Sequence, residues 1–351
     1  MTSRERVWAA LNHTQPDRCP VDFWAEGTTT RTLLAHFGVK REQELYDIFE
    51  TDLQFVFPDS TLPPVKTLPD GSWIDHNGAH MRLVKNDFCE YAEYLSRPLG
   101  EVEVLSDLAS YDKWPDASAF DWAGFPEKIG SLHEKRIIKL HAGGLYEMAW
   151  NLRGQEQFLM DMIAAPELAH AIMDKLCSYW CDYVERAMAV AGDKIDLVYT
   201  YDDIATQSTL IMSPQMLEEF VYPYHRRLNA VIKRHGKKIL YHSCGAVTRQ
   251  IDALAELPID ILNPLQPRAT GMDFEVIKRT WGDKLCFHGG IDIQETLPHG
   301  SPEEVQAAVK NAISILGRNG GYIMTSAHYI QNDTPVENII AMYDPSIRQT
   351  R

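Results

Sequence analysis

Eight short apolar runs, each followed by a stretch with helical spacing, constrain this sequence more than any other feature. The runs are Cys19–Trp24 (CPVDFW), Leu53–Phe57 (LQFVF), Ile137–His141 (IIKLH), Leu197–Tyr201 (LVYTY), Lys238–His242 (KILYH), Asp260–Asn263 (DILN), Leu285–His288 (LCFH) and Tyr322–Thr325 (YIMT). They are rich in Val, Ile, Tyr and Phe, which suit a buried, pleated surface. Helical patterns fall near 145–191, 213–235, 246–256, 273–281, 302–317 and 335–343, and an opening helix near 3–12 is ended by Pro16. Ser213-Pro214, Ser301-Pro302 and Thr334-Pro335 each offer an N-cap with proline at the first helical position. Strands alternating with helices imply parallel βαβ units. Eight such units predict an α/β fold, a (β/α)8 TIM barrel, with a doubly wound open sheet as the rival.

A barrel of this kind needs about 250 residues, so a chain of 351 carries a surplus. Residues 58–130 hold it: turn signals at Pro63-Pro64, Asp70-Gly71 and Asn77-Gly78 accompany alternating runs such as Trp73–Val84. They read as a β-rich insertion over one barrel mouth, within a single domain over 1–351. The net charge of −15 argues against nucleic acid, whose binders present a basic patch. Six scattered cysteines (Cys19, Cys89, Cys177, Cys181, Cys244, Cys286) make no disulfide framework. The MTSRERVWAALNHT start has no apolar signal core, and no apolar stretch reaches the length of a membrane span. A cytoplasmic protein with no membrane partner is expected.

Barrel chemistry sits at the C-terminal ends of the strands. The residues finishing the predicted strands are Asp22 and Trp24, Asp59, His141, Asp202 and Asp203, His242 with Cys244, Asn263 with Gln266, His288 with Asp292, and His328. The sharpest local signal is Tyr241–Ala246 (YHSCGA). His242 and Cys244 lie two apart on an extended segment, so both side chains point the same way. An imidazole nitrogen and a thiolate sulfur suit Zn²⁺. The alternative is a buried cysteine beside a histidine bonded to backbone. His328 and Asp202 or Asp203 complete the candidate cluster. Adjacent carboxylates can split in pKa and so serve proton transfer; otherwise one caps a helix and the other is solvated. Glu147, just after Gly143-Gly144, is either a third acid/base group or a carboxylate favouring a helix dipole. The glycines of Phe287–Asp292 (FHGGID) allow a ligand such as phosphate close to the backbone, or else form a tight turn. Trp24, His141, Gln266, His288 and Asp292 are the candidate substrate contacts. Trp24, Phe57, Trp73, Tyr146 and Trp150 line an aromatic pocket or belong to the core. Cys177 and Cys181, at i and i+4, read as core.

The chain carries the motifs Tyr201–Asp203 (YDD), Ser213-Pro214 with Phe220–Pro223 (SP…FVYP), His242–Gly245 (HSCG), Leu262–Gln266 (LNPLQ), His288–Asp292 (HGGID) and His328–Asn338 (HYIQNDTPVEN). Together they resemble the uroporphyrinogen decarboxylase superfamily, which includes cobalamin-linked methyltransferases. The Arg4–Leu11 helix and the Pro16-Asp17-Arg18 turn fit the same pattern. The true decarboxylase is similar, but clamps substrate carboxylates with an arginine-rich N-terminal loop. The corresponding Cys19–Gly27 (CPVDFWAEG) has no arginine and carries Asp22 and Glu26, which would repel such a substrate. The methyltransferase branch looks like a zinc enzyme with an H-x-C…C motif. His242 and Cys244 match its first two positions. The third ligand, a cysteine in that motif, falls near Ser326–His328 (SAH), where His328 takes its place.

The resemblance therefore implies a zinc-dependent methyltransferase. It would move a methyl group between a small-molecule donor or thiol acceptor and a corrinoid (cobalamin) carried by a separate protein, because the chain shows no D-x-H-x-x-G cobalamin motif. His242, Cys244 and His328 would hold the metal, with Asp202, Asp203 and Glu147 as acid/base groups. A homodimer is the expected assembly. The alternative is a cofactor-independent decarboxylase acting on a smaller, non-porphyrin acid.

Overall fold

The computed structural model describes residues 1–86 and 90–349, so Cys89 lies outside the described residues. The strands are β1 (Leu53–Phe55), β2 (Trp73–Ile74), β3 (His80–Lys85), β4 (Glu90–Ser96), β5 (Ile137–His141), β6 (Leu197–Tyr201), β7 (Lys238–His242), β8 (Ile261–Leu265), β9 (Cys286–Ile291) and β10 (Tyr322–Ser326). Seven of them form a curled, all-parallel sheet in the order β1-β5-β6-β7-β8-β9-β10. Side chains alternate faces along a strand, and two cores result. The inner one takes Leu53, Ile137, Leu197, Leu240, Ile261, Cys286 and Ile323, one from each strand, with Val7 and Leu11 of the helix Ser3–Leu11 and with Trp24 and Tyr199. The outer one sets Ile138, Leu140, Val198, Ile239, Tyr241, Leu262, Phe287 and Met324 against the helices. Sheet strands buried on both faces explain why these runs read as nearly continuous apolar segments.

The first predicted strand differs. Cys19–Trp24 makes a single bridge, Val21 to Met324, and Ala25 just after it makes another, to Ile330. Its backbone still bonds both sheet edges: Met324 N–H donates to Pro20 O (2.9 Å), Asp22 N–H to Met324 O (3.0 Å), and Asp52 N–H to Val21 O (2.8 Å). Pro20 has no N–H to extend the ladder.

The predicted helix over 145–191 is three, Leu145–Arg153, Gln155–Ala164 and Pro166–Ala191. Gly154, at φ 97°, and Pro166 after Ala165 break it. Similarly, Pro214–Phe220 and Tyr222–Arg234 divide at Val221, ahead of Pro223. Ser213 caps its helix through Met216 N–H, and Ser301 forms a capping box with Glu304. Thr334 does not cap: its helix starts at Val336 with Pro335 at the cap, and the buried Thr334 hydroxyl has no partner. Among the helices that the periodicity does not predict are Gly27–Phe37 and Glu42–Ile48. The first opens on three threonines of modest helix propensity. It is held by Glu26 as N-cap and by Gly38 at φ 66° as its left-handed C-cap.

Among the described residues of 58–130 the chain builds the antiparallel sheet β2-β3-β4 and two short helices, Leu105–Ser110 and Phe125–Ile129. Glu90 and Tyr91 of β4 share a cleft of 390 Å³ with Ala25, Glu26, Gly27, His328, Tyr329 and Gln331. Among the described residues no helix is long and apolar enough to cross a membrane.

Candidate active site

The parallel sheet brings its strand ends to one rim. His242 closes β7, Cys244 follows two residues on, and His328 lies two residues past β10. The turn after Cys244 requires glycine: Gly245 sits at φ 90°, and a Cβ there would approach Thr206 O to 2.3 Å. Gly245 N–H donates to Gln266 Oε1 (2.7 Å), and Gln266 Nε2 reaches Cys244 Sγ at 3.3 Å. Cys244 N–H donates to Asp203 Oδ1 (2.8 Å). His242 Nε2 stands 3.4 Å from Cys244 Sγ and 3.5 Å from Asp203 Oδ1. One donor atom from each of His242, Cys244 and His328 lies within 4.8 Å of the other two. Among the described residues this is the only group of three or more His, Cys, Asp or Glu side chains so placed.

Electrostatics separate the three imidazoles of the rim. Burial disfavours a charged His242, yet the facing Cys244 and Asp203 outweigh it and raise its pKa well above the usual value. Burial and the neighbouring His242 lower His328 to about 4. The same two causes lower His141 to about 4, so it is neutral at pH 7. Asp203 is held below the ordinary carboxylate range, because His242 outweighs the cost of burial. Glu147 goes the other way: burial, then the like charges of Asp202 and Asp203, push it up to about 7. Its carboxylate has no hydrogen-bond or ion-pair partner among the described residues.

The two adjacent acids divide. Asp203 faces the cluster. Asp202 is fully buried and accepts N–H bonds from Leu145 (3.1 Å), Tyr146 (2.9 Å) and Glu147 (2.8 Å), the first turn of helix Leu145–Arg153. His225 Nε2, at 2.7 Å, completes its shell. With its oxygens taken up in this way, Asp202 anchors the N-terminus of helix Leu145–Arg153.

The substrate-contact candidates divide too. Trp24 stacks on His242 (centroids 6.2 Å apart, 17° between planes) and meets Tyr199 and Tyr329 edge-on or tilted. His141 lies among Phe57, Tyr199 and Tyr201. These two and Gln266 remain near the cluster. Asp292 instead accepts the N–H groups of Gln294, Glu295 and Thr296, so it closes its own loop. His288 is fully buried between Asn263 and Asp22. The glycines beside it make no turn: Gly289 and Gly290 (φ 107° and 96°) continue β9, where a Cβ would crowd Leu265 N or the Tyr322 hydroxyl. Tyr146 packs on Trp150 and on Phe158 in the helical layer, and Trp73 lies in β2. Glu26 and Asp22, read as repelling groups at the mouth, are likewise engaged: Glu26 caps a helix and Asp22 pairs with Lys139.

Sequence reasoning missed Lys139 and His225. Lys139 left a signal, as a charge inside the buried run IIKLH opposite the acid of CPVDFW. His225 left none, because its helix spacing matches an ordinary core position.

The sequence profile described as Uroporphyrinogen decarboxylase (URO-D) matches residues 142–346. A uroporphyrinogen decarboxylase from Anaeromyxobacter sp. (strain Fw109-5) is 27% identical over 191 residues, 52% of this chain and 49% of that protein. A methylated-thiol–coenzyme M methyltransferase from Methanosarcina mazei is 24% identical over 241 residues, 65% of this chain and 59% of that protein. The chain thus spans about half the length of the curated relatives it matches. A solved methyltransferase from Methanosarcina mazei shares the fold, with a TM-score of 0.73 at 16% identity over 99% of this chain and 98% of that one.

Proposed function

The chain belongs to the uroporphyrinogen decarboxylase family, and from that premise we propose that it is a zinc-dependent methyltransferase. It takes a methyl group from a small-molecule donor and delivers it to a corrinoid held by a separate protein. The observation that carries this reading is the convergence of His242, Cys244 and His328 from β7 and β10 onto one point of the rim. The donor set fits the metal. Ligands around one Zn²⁺ at about 2.0–2.3 Å stand about 3.3–3.8 Å apart, and the His242 Nε2–Cys244 Sγ separation is already 3.4 Å. Asp203, 3.5 Å from His242 Nε2, is the candidate fourth ligand. Bound there, zinc would polarise the donor's heteroatom as a Lewis acid.

The chain's own residues supply the rest. Gln266 orients the Cys244 sulfur, and Trp24 and His141 form an uncharged aromatic wall beside it. Glu147, protonated near neutrality, gives its proton to the heteroatom that leaves with two electrons as the methyl departs. Asp202 holds Glu147 in place through the backbone. We also read the chain as a single eight-stranded barrel domain, with Cys19–Trp24 as the remaining stave and 58–130 as an insertion at its mouth.

Mixing the purified protein with cob(I)alamin and methylated thiols, ethers and amines tests the reading. Zinc-dependent methylcobalamin formation is expected. Absence of transfer from all three classes by zinc-replete protein would sink it. A second reading, decarboxylation of a smaller acid, has the decarboxylase relatives in its favour. Turnover that survives His242→Ala and Cys244→Ala without metal would select it.

A further inference from the structure

Behind His242, on the side away from Cys244, lies a line of polar groups that the roles above do not use. Lys139, Asp22, His288 and Asn263 are all fully buried, where unsatisfied polar groups are costly. Lys139 Nζ donates to Asp22 Oδ2. The same oxygen receives Trp24 Nε1–H (2.8 Å) and lies 3.0 Å from His288 Nε2. The other nitrogen of that ring, His288 Nδ1, is 2.6 Å from Asn263 Nδ2. Asn263 Oδ1 is in turn 2.6 Å from His242 Nδ1. Adjacent strand ends set this spacing, since β7 and β8 pair His242 with Asn263 in register.

The line has one direction. An ammonium and an indole N–H can only donate, so Asp22 accepts. Burial opposes its charge, but Lys139 and His288 outweigh that and hold the carboxyl ionised. His288 Nε2 must therefore carry a proton. Burial keeps the His288 ring neutral despite Asp22, which leaves Nδ1 bare. Asn263 then has to present its NH₂ to His288, because the reverse orientation would set a carbonyl oxygen against a lone pair. Its own oxygen faces His242, and His242 Nδ1 must bear the proton.

We propose that Asn263 and His288 are positioning residues that hold a proton on His242 Nδ1 and so leave Nε2 as the nitrogen that faces the Cys244–His328 cluster and gives up its own proton when a metal binds. The Lys139–Asp22 ion pair sets the direction of the whole line. The consequence for metal affinity rests on the zinc reading above, whereas the proton positions belong to the metal-free protein as well. Metal-ligating histidines elsewhere use their second nitrogen in this way, and losing the partner typically costs 10–100-fold in affinity.

The test is a long-range ¹H–¹⁵N spectrum of protein labelled with ¹⁵N-histidine, recorded without metal and with zinc. His242 is expected to carry a proton on Nδ1 in both samples, and His288 on Nε2. Zinc should shift His242 Nε2 and leave the His288 protonation pattern unchanged. Asn263→Ala should expose the His242 Nδ1 proton to faster exchange and weaken zinc about 10–100-fold by chelator competition, with unchanged circular dichroism. Asn263→Asp keeps an acceptor for His242 and sets its second oxygen against His288 Nδ1, so in that variant His288 should gain a proton on Nδ1 while most of the zinc affinity is retained. In the parent protein a His242 proton on Nε2 alone or a His288 proton on Nδ1, or native affinity in Asn263→Ala, would overturn the proposal. A protein with the expected protons that binds no zinc would support the positioning line while refuting the zinc reading.

Discussion

His225 Nε2 stands 2.7 Å from Asp202 Oδ2 with both side chains fully excluded from solvent, and this pair divides two neighbouring aspartates between architecture and chemistry. Asp202 is tied to a helix N-terminus, while Asp203 faces the His242–Cys244 pair. Asp202→Ala leaves three N–H groups and one imidazole without an acceptor. It should cost about 3 kcal/mol or more in urea unfolding. Asp203→Asn keeps an oxygen for Cys244 N–H and should cost less than about 1 kcal/mol. That variant should instead weaken zinc at least about tenfold. The opposite ranking would reverse the two assignments.

Lys139 and Asp22 form an ion pair that is fully buried on both sides. Lys139→Met leaves an uncompensated buried carboxylate and is expected to cost about 3–5 kcal/mol. Adding Asp22→Asn removes that charge and should restore part of the loss. Urea denaturation of the two single variants and the double measures their coupling; additive losses would mean the pair does not act as a unit.

Glu147 makes stability and rate depend on pH. Its carboxyl titrates near 7 in the folded protein against an ordinary 4.5. Between those values the folded chain keeps a proton that the unfolded chain has lost, so stability from this group falls as pH rises from about 4.5 to 7. Glu147→Gln should be as stable as the parent at pH 4 and about 2 kcal/mol more stable at pH 8. As the proton donor, Glu147 should give kcat/KM a limb that falls above about pH 7, absent from the slow Glu147→Gln enzyme. A limb that rises through pH 7 would make it a base, and would reverse the direction of transfer.

Gly245→Ala places a Cβ 2.3 Å from Thr206 O at a φ of 90°. The turn must then shift, so about 2–3 kcal/mol of stability should be lost. Alignment of Cys244 should be lost with it, read as weaker zinc binding. Full zinc affinity in this variant would show that the turn does not position the sulfur.

Much of this was legible in the sequence, for physical reasons that also mark the boundary. The runs at 137–141, 197–201 and 238–242 are strands with the predicted limits, because buried parallel strands leave little room for polar residues. His242, Cys244 and His328 were singled out by strand-end position, and the fold does bring them together. Whether Asp202 or Asp203 faces the cluster was not legible, because the answer depends on where helix Leu145–Arg153 begins in space. The same holds for Asp292 and His288, whose polar neighbours come from loop closure and from a strand segment far along the chain. Cys19–Trp24 read as a strand from its apolar residues, yet Pro20 and the Asp22–Lys139 pair shape it into a bridge instead.

The replacement of the motif's second thiolate by His328 is the step on which the zinc assignment turns. Zinc K-edge X-ray absorption on the purified, zinc-loaded protein reads that shell directly. One sulfur at about 2.3 Å with three nitrogen or oxygen ligands at about 2.0–2.1 Å is expected, losing one nitrogen in His328→Ala. A shell with no sulfur, with two or more sulfurs, or unchanged by His328→Ala would contradict it.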